Sequence, residues 1–178
     1  MVREFRSRRR IAGVIELQQQ EVVMQGDPKT IELLNELLAE ELSAADQYFI
    51  HAEMYKDFGL HKLFERIDHE REDELSHARV LIARTLFLQG KPNVAKRVPI
   101  VVGENVRAML ASDLEVEYRV GNLLKKVVAH CESVKDYVTR QELMVLLEET
   151  ENDHAHWLEQ QLRLIDMVGE QNYIQSQM

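Results

Sequence analysis

The apolar residues of this chain recur at helical spacing along four long stretches. The first stretch begins at Asp27-Pro28, where aspartate can act as the N-cap and proline as the first helical residue, and Gly59 is a natural end. Thr139-x-x-Glu142 has the form of a capping box and predicts the start of the fourth stretch. We therefore predict helices over about 28–58, 60–89, 105–135, 139–168 and 170–177.

The segment between the second and third helices is long for a connection inside a compact domain. Residues 91–103 contain Pro92 and Pro99 and exceed what a tight turn between antiparallel neighbours requires. A connection of this length predicts a crossover that joins two parallel helices. The fold expected is therefore all-α, a four-helix bundle with a long crossover between helices 2 and 3 and a short fifth C-terminal helix.

The overall composition is that of one acidic domain. The chain has 178 residues, 45% of them apolar, and a net charge of −9, which argues against non-specific binding to nucleic acid. Cys131 is the only cysteine, so a disulfide framework and a cysteine zinc site are both excluded. No apolar run reaches the roughly 20 residues that a membrane span needs. We therefore expect a soluble protein of a reducing, cytoplasmic compartment.

The first 23 residues differ in charge from the rest of the chain, since they contain five arginines and only three glutamates. We expect residues 1–23 to form a basic N-terminal extension. Three interpretations remain open: a disordered arm, a targeting segment, or sequence upstream of the true start. We favour the last, because Met24 directly precedes the predicted folded region, and the domain would then span residues 24–178.

Each long helix carries one glutamate at mid-length on an otherwise apolar seam. A lone buried carboxylate would cost on the order of several kcal/mol, so four at matching positions indicate that something cationic binds them. Two of these glutamates are followed three residues later by a histidine, which points the same way on a helix. Four carboxylates and two imidazoles suit a pair of iron ions. The six candidate ligands are Glu41, Glu74, His77, Glu117, Glu151 and His154.

A simpler interpretation of the Glu-x-x-His motifs has to be weighed. One such motif is common by chance on a solvated helix face. Two copies at matched heptad positions, each with a lone glutamate on the preceding helix, favour a two-metal site instead. The remaining histidines fit surface or interface positions better than ligand positions, and they are His51, His61, His130 and His156.

Several stretches are similar to the bacterioferritin family, and the similarity covers nearly everything from Met24 onward. The matching stretches are Glu41-Leu42, Gln47-Tyr48-Phe49, Phe87-Leu88 to Gly90, Pro92-Asn93, Ser112-Asp113-Leu114, Asp136-Tyr137-Val138, His156-Trp157-Leu158-Glu159 and Gly169 to Gln175. The resemblance implies a ferritin-like bundle that self-assembles into a hollow shell of twenty-four subunits. It also implies a di-iron centre in each subunit, which oxidises Fe²⁺ to Fe³⁺ with O₂ or H₂O₂, and a ferric mineral stored in the shell.

The resemblance assigns a role to each candidate residue. It implies that Glu41 and His77 bind one iron and that Glu117 and His154 bind the other. It also implies that Glu74 and Glu151 bridge the two irons. Tyr48 resembles a redox-active tyrosine near the irons, although a core aromatic with a bonded hydroxyl is the alternative. His69 and Asp73 resemble an inner-surface iron site, and a plain solvated helix face is the alternative there.

One position departs from the family at the haem site. Bacterioferritins bind haem b between two subunits through a methionine directly after the second-helix glutamate, and here that residue is Leu75. Leucine offers no lone pair, so haem b is implied by the family but is not expected in a symmetric pair of these subunits. A mixed shell with a second, methionine-bearing subunit type is the alternative.

A second departure lies just before the second motif. The chain has one residue more than the commoner family spacing between Arg140 and Glu151, whereas Glu151, His154 and Trp157 keep their mutual spacing. We therefore expect a local bulge upstream of Glu151.

The leading hypothesis is an iron-storage enzyme, a ferroxidase of the bacterioferritin type. The alternatives are a structural subunit of a mixed shell and a di-iron oxidoreductase of another ferritin-like class. The partners expected are further copies of this chain, a second bacterioferritin subunit type, and a ferredoxin-like reductant for iron release. The sequence leaves open which oxidant acts and whether the iron pair is a stable cofactor or in transit.

Overall fold

The structure is a computed structural model and describes residues 25–178, where it is built of helices without strands. The predicted extension 1–23 lies outside the described residues, so the division of the chain at Met24 stays a prediction. The elements are α1 Pro28–Asp57, α2 His61–Phe87, α3 Val106–Ser133, α4 Tyr137–Glu149, a π-helical segment Thr150–Ala155, α5 His156–Val168 and α6 Glu170–Ser176. The predicted all-α four-helix bundle with a short C-terminal helix is confirmed.

The crossover between α2 and α3 is tied to α1 along its length. Three side chains one helical turn apart accept hydrogen bonds from the crossover backbone: Ser43 from Val98 N, Gln47 from Val101 N and His51 from Gly103 N. The crossover therefore runs in the same direction as α1, and α3 begins near the C-terminal end of α1. It follows that α3 runs parallel to α2, as the long connection predicts.

His51 is the anchor of this arrangement and is fully buried. Its Nδ1 lies 2.8 Å from Oδ1 of Asp113 on α3, and the Gln47 amide donates to the same oxygen at 2.8 Å. The prediction of a surface or interface position is wrong for His51, because its polar partners come from distant parts of the chain. His61 and His156 are exposed as predicted, and His130 is half-buried with Nε2 2.9 Å from Asp27.

The fourth long helix begins earlier than the capping-box motif predicts. Asp136 is its N-cap, since the Asp136 carboxylate accepts from the Thr139 backbone N–H at 3.1 Å. The Thr139 hydroxyl instead accepts from Nε of Arg84 at 2.7 Å, in a buried contact between α2 and α4. The start of α1 matches its prediction, because Asp27 accepts from the Thr30 backbone N–H at 2.8 Å.

The fourth long helix is continuous from α4 to α5 but widens into a π-helical segment at Thr150–Ala155. A π-helix holds an extra residue in one turn without breaking the helix. The expected bulge therefore exists, but it lies on the Glu151-x-x-His154 motif itself rather than upstream of it. Leu147 and Leu158 are buried on either side, so the apolar seam resumes after the widened turn.

Among residues 25–178, no helix is both long and apolar enough to cross a membrane.

Candidate metal centre

Five of the six predicted ligands converge at mid-height in the bundle. All five are at most 3% exposed, and they are Glu41 on α1, Glu74 and His77 on α2, Glu117 on α3 and His154 on the π-helical segment. They meet because each occupies the middle of an apolar seam that faces the bundle axis. Four helical elements therefore contribute to one buried polar cluster.

Glu74 lies at the centre of this cluster, between the two histidines. Its Oε2 is 3.2 Å from Nδ1 of His77, and its Oε1 is 3.2 Å from Nδ1 of His154. The two imidazole rings face each other with centroids 5.7 Å apart and planes inclined by 20°. One carboxylate thus presents one oxygen to each of two symmetrically placed histidines.

The ligand atoms form two groups that share Glu74. Glu41 and His77 complete one group, Glu117 and His154 complete the other, and in each group the donor atoms lie within 4.8 Å of one another. Two carboxylates and one imidazole at that spacing can enclose a divalent cation of the first transition row. The arrangement can therefore hold two neighbouring cations with a common carboxylate bridge.

The outer carboxylates of the cluster contain oxygen atoms that the protein does not satisfy. Both oxygens of Glu41 and Oε2 of Glu117 are buried without a hydrogen-bond partner among the described residues. A buried carboxylate oxygen in that condition is costly unless a cation or a proton meets it. The donor set and its unmet oxygens thus fit a pair of bound cations.

The acid–base properties of the cluster follow from burial and crowding. Burial, followed by the charge of Glu74, raises the pKa of Glu41 well above its usual range and also raises the pKa of Glu117. Burial opposes ionisation of His154, yet its contacts with Glu117 and Glu74 raise its pKa to about 12. Burial likewise opposes ionisation of Glu74, but His154 and His77 lower the Glu74 pKa. In the metal-free cluster, a proton on His154 therefore competes with a cation for the imidazole nitrogen.

A ferritin-like domain model matches residues 31–168, which is most of the described structure. The chain belongs to the ferritin family.

Relatives of this ferritin-like chain are similar over nearly their full length. The bacterial ferritin of Paramagnetospirillum magnetotacticum is 54% identical over 154 residues, 86% of this chain and 94% of that protein. The bacterial ferritin of a Synechocystis species is 52% identical over 155 residues, 87% of this chain and 99% of that protein. The bacterioferritin of Mycobacterium leprae is 39% identical over 153 residues, 84% of this chain and 94% of that protein. The sequence-based resemblance to bacterioferritin is confirmed.

Glu151, the sixth predicted ligand of this ferritin-like chain, is not brought to the cluster. Its side chain is 47% exposed and pairs with Lys125 of α3, with Oε1 and Nζ 2.5 Å apart. In the π-helical segment, the side chain of Thr150 points toward the core and is buried, whereas the side chain of Glu151 points toward solvent. The widened turn therefore separates two residues that an α-helix would place on one face, Glu151 and His154.

Tyr48 contacts the cluster directly. It is buried, and its hydroxyl donates a hydrogen bond to Oε1 of Glu117. Burial, followed by the charges of Glu117 and Asp113, raises the pKa of Tyr48 well above its usual range. The hydroxyl is therefore held in its neutral form beside one carboxylate of the pair, and its redox role stays a prediction.

Two further carboxylates, which were not predicted from the sequence, each contact the outer nitrogen of one histidine. Oε2 of Glu149 lies 2.8 Å from Nε2 of His77, and Oε2 of Glu70 lies 3.0 Å from Nε2 of His154. Such a contact fixes which imidazole nitrogen faces a metal. Glu70 could have been found, because it precedes Glu74 by one helical turn on the same face; Glu149 had no such signal.

The residues of the predicted inner-surface iron site, His69 and Asp73, are only partly brought together. His69 is exposed, with Nε2 3.5 Å from Oδ2 of Asp73. Asp73 instead falls in a third compact group of donors with Glu70 and His154. Leu75, at the position of the family's haem ligand, is 39% exposed on the outer side of α2.

Proposed function

We propose that this chain is an iron-storage ferroxidase, which oxidises Fe²⁺ to Fe³⁺ at the buried pair of sites that share Glu74. One observation carries the proposal: two groups of two carboxylates and one histidine, joined by a common glutamate. The ferritin family and the names of the relatives, bacterial ferritin and bacterioferritin, support a role in iron storage.

The proposal gives each ligand a separate task. Glu74 holds two ferrous ions together by offering one oxygen to each, while Glu41 and Glu117 each offset charge on one of them. Two adjacent ferrous ions lose one electron each, which with two protons reduces O₂ to H₂O₂ or H₂O₂ to two water molecules. Glu149 accepts from the outer N–H group of His77, and Oε2 of Glu70 lies 3.0 Å from the outer nitrogen of His154, so that Nδ1 of each ring stays aimed at iron.

Storage of the product requires many copies of the chain, and we include that assembly in the proposal. Large apolar side chains remain exposed on the single subunit, for example Phe49 at 55%, Phe87 at 55% and Tyr137 at 56%. Exposed aromatic groups of this size favour burial against other subunits. A twenty-four-subunit shell, alone or with a second bacterioferritin subunit type, and a ferredoxin-like reductant for iron release complete the proposal.

The proposal is tested by adding Fe²⁺ aerobically to metal-free protein and following absorbance of the ferric product. We expect a fast phase whose amplitude saturates near two irons per subunit, followed by slower mineral growth. Anomalous scattering at the iron edge from soaked crystals should place both ions beside Glu74. A fast phase that never saturates, or iron bound elsewhere, would contradict an intra-subunit pair.

The haem position gives an independent prediction. Because Leu75 cannot supply a lone pair, the purified homopolymer should lack a strong Soret band after reconstitution with haem b. Leu75→Met restores the sulfur and should produce that band, whereas Leu75→Ile should not. A bis-methionine haem spectrum in the unaltered protein would show that another residue binds haem.

A further inference from the structure

The two donor groups contain the same types of ligand, but different side chains support their histidines. Nε2 of His77 lies 2.8 Å from Oε2 of Glu149, whose side chain is 53% exposed. Nε2 of His154 lies 3.0 Å from Oε2 of Glu70, whose side chain is 3% exposed. Water readily replaces the contact of a half-exposed carboxylate, whereas a buried carboxylate keeps its partner. The ring of His154 is therefore held more firmly than the ring of His77.

Glu70 is stable in its buried position because Arg66, one turn earlier on α2, offsets its charge. Nε of Arg66 lies 2.5 Å from Oε1 of Glu70, and the other oxygen of Glu70 faces His154. A guanidinium is charged at any physiological pH, so this ion pair persists. Among the described residues, Glu149 has no such support, since His77 is its only ion-pair partner.

Arg66 also contacts side chains on both sides of His154 in the chain. Nη2 of Arg66 lies 2.7 Å from Oδ1 of Asp153, the residue directly before His154. Cζ of Arg66 lies 5.2 Å from the ring centre of Trp157, three residues after His154. A planar guanidinium can bind two carboxylates and an aromatic ring at the same time. Arg66 thus ties α2 to the π-helical segment and to the first turn of α5.

These contacts favour binding at the His154 group. A ligand that is held in its binding position before the cation arrives loses less conformational freedom when the cation binds. The charge of Arg66 opposes a cation only weakly, because Glu70 and Asp153 offset it. Two groups with equal ligand types should therefore differ in affinity.

We propose that Arg66 is a positioning residue, which holds His154 ready for metal and makes the His154 group the first to bind a ferrous ion. The inference rests on the proposed function and adds an order of loading to it. The first ion engages one oxygen of Glu74, and the second ion then completes the His77 group with the other.

The order is tested with one Co²⁺ per subunit, added anaerobically to metal-free protein, and anomalous scattering at the cobalt edge from crystals. We expect most of the signal beside His154 rather than His77. In Arg66→Gln this preference should disappear, and the first binding constant from calorimetric titration should fall by about three- to tenfold. The decrease is smaller than the roughly 10- to 100-fold that loss of a direct partner causes, because Arg66 acts through Glu70.

Three further variants separate position from charge. Arg66→Lys keeps the charge, but a compact ammonium cannot span both carboxylates and the ring, so it should recover only part of the lost affinity. Asp153→Asn removes one exposed contact and should give a smaller decrease, which tests the proposal even if Arg66→Gln unfolds. Arg71→Gln is the matched control, because its ion pairs are with Asp68 and Glu72 of α2, and it should change nothing.

The outcomes separate the order of loading from the function. Equal occupancy of the two groups in the unaltered protein, or a first ion beside His77, would overturn the order. An unchanged preference in folded Arg66→Gln protein, full recovery in Arg66→Lys, or an equal loss in Arg71→Gln would overturn the positioning role. Cobalt bound away from Glu74 in the unaltered protein would contradict the proposed function itself.

Discussion

Replacing Glu74 with alanine is expected to abolish the fast phase of Fe²⁺ oxidation. Glu74 is the one residue common to both donor groups, with an oxygen 3.2 Å from Nδ1 of each histidine. Its loss leaves one carboxylate and one imidazole in each group and removes the bridge. Because loss of a supporting contact alone costs about 10- to 100-fold at metal sites, we expect a decrease of at least about 100-fold. The initial rate of ferric absorbance measures it.

The control for this experiment is Glu72→Ala, which removes an exposed carboxylate two residues away on the same helix. It should keep the full amplitude and rate of the fast phase. Thermal unfolding of the metal-free proteins checks that the Glu74 variant is folded. A fast phase that persists in a folded Glu74→Ala protein would mean that oxidation takes place away from the shared carboxylate.

The sequence predicted the site well wherever the helices are regular. In α1, α2 and α3 the apolar seam repeats every seven residues, so a glutamate on that line has to face the bundle axis. The structure places Glu41, Glu74 and Glu117 there, all nearly fully buried. Helical periodicity therefore placed three carboxylates and His77 together, although they come from three separate helices.

The same reasoning did not extend to Glu151, and the reason lies in the backbone. A Glu-x-x-His motif shares one face only if the helix has α geometry. Here the extra residue is absorbed within Thr150–Ala155, so Glu151 and His154 point to different sides. The departure in spacing was visible in the sequence, but the turn that would accommodate it depends on packing of the whole helix.

Partners from distant parts of the chain were beyond the reach of sequence patterns. His51 has no local signal that distinguishes it from an exposed histidine, and its burial depends on Asp113 and on the crossover backbone. Glu149 likewise meets His77 only because α2 and α4 are neighbours. Such contacts are fixed by tertiary packing, which explains why the sequence predicted five residues of the cluster but not the partners of His51 and His77.

Binding of divalent cations is expected to release protons and to become tighter as the pH rises. His154, with a pKa of about 12, retains a proton near neutral pH in the metal-free cluster, and burial and the charge of Glu74 raise the pKa of Glu41 above its usual value. Cations compete for the same oxygens and nitrogen, so each proton released strengthens apparent affinity by about tenfold per pH unit. The affinity for cations therefore falls as the pH falls, because groups with raised pKa values hold more protons that a cation has to displace.

Calorimetric titration with Co²⁺ under anaerobic conditions measures this release, when it is repeated in buffers of different ionisation enthalpy. We expect at least one proton per subunit at neutral pH, because His154, with a pKa of about 12, lies at the cluster. Glu41→Gln removes one of the carboxylates of the cluster and should lower the affinity. An affinity that does not depend on pH would contradict this prediction. It would mean that the metal-free cluster is already deprotonated, and that solvent or another cation contacts the carboxylate oxygens that have no hydrogen-bond partner in the protein.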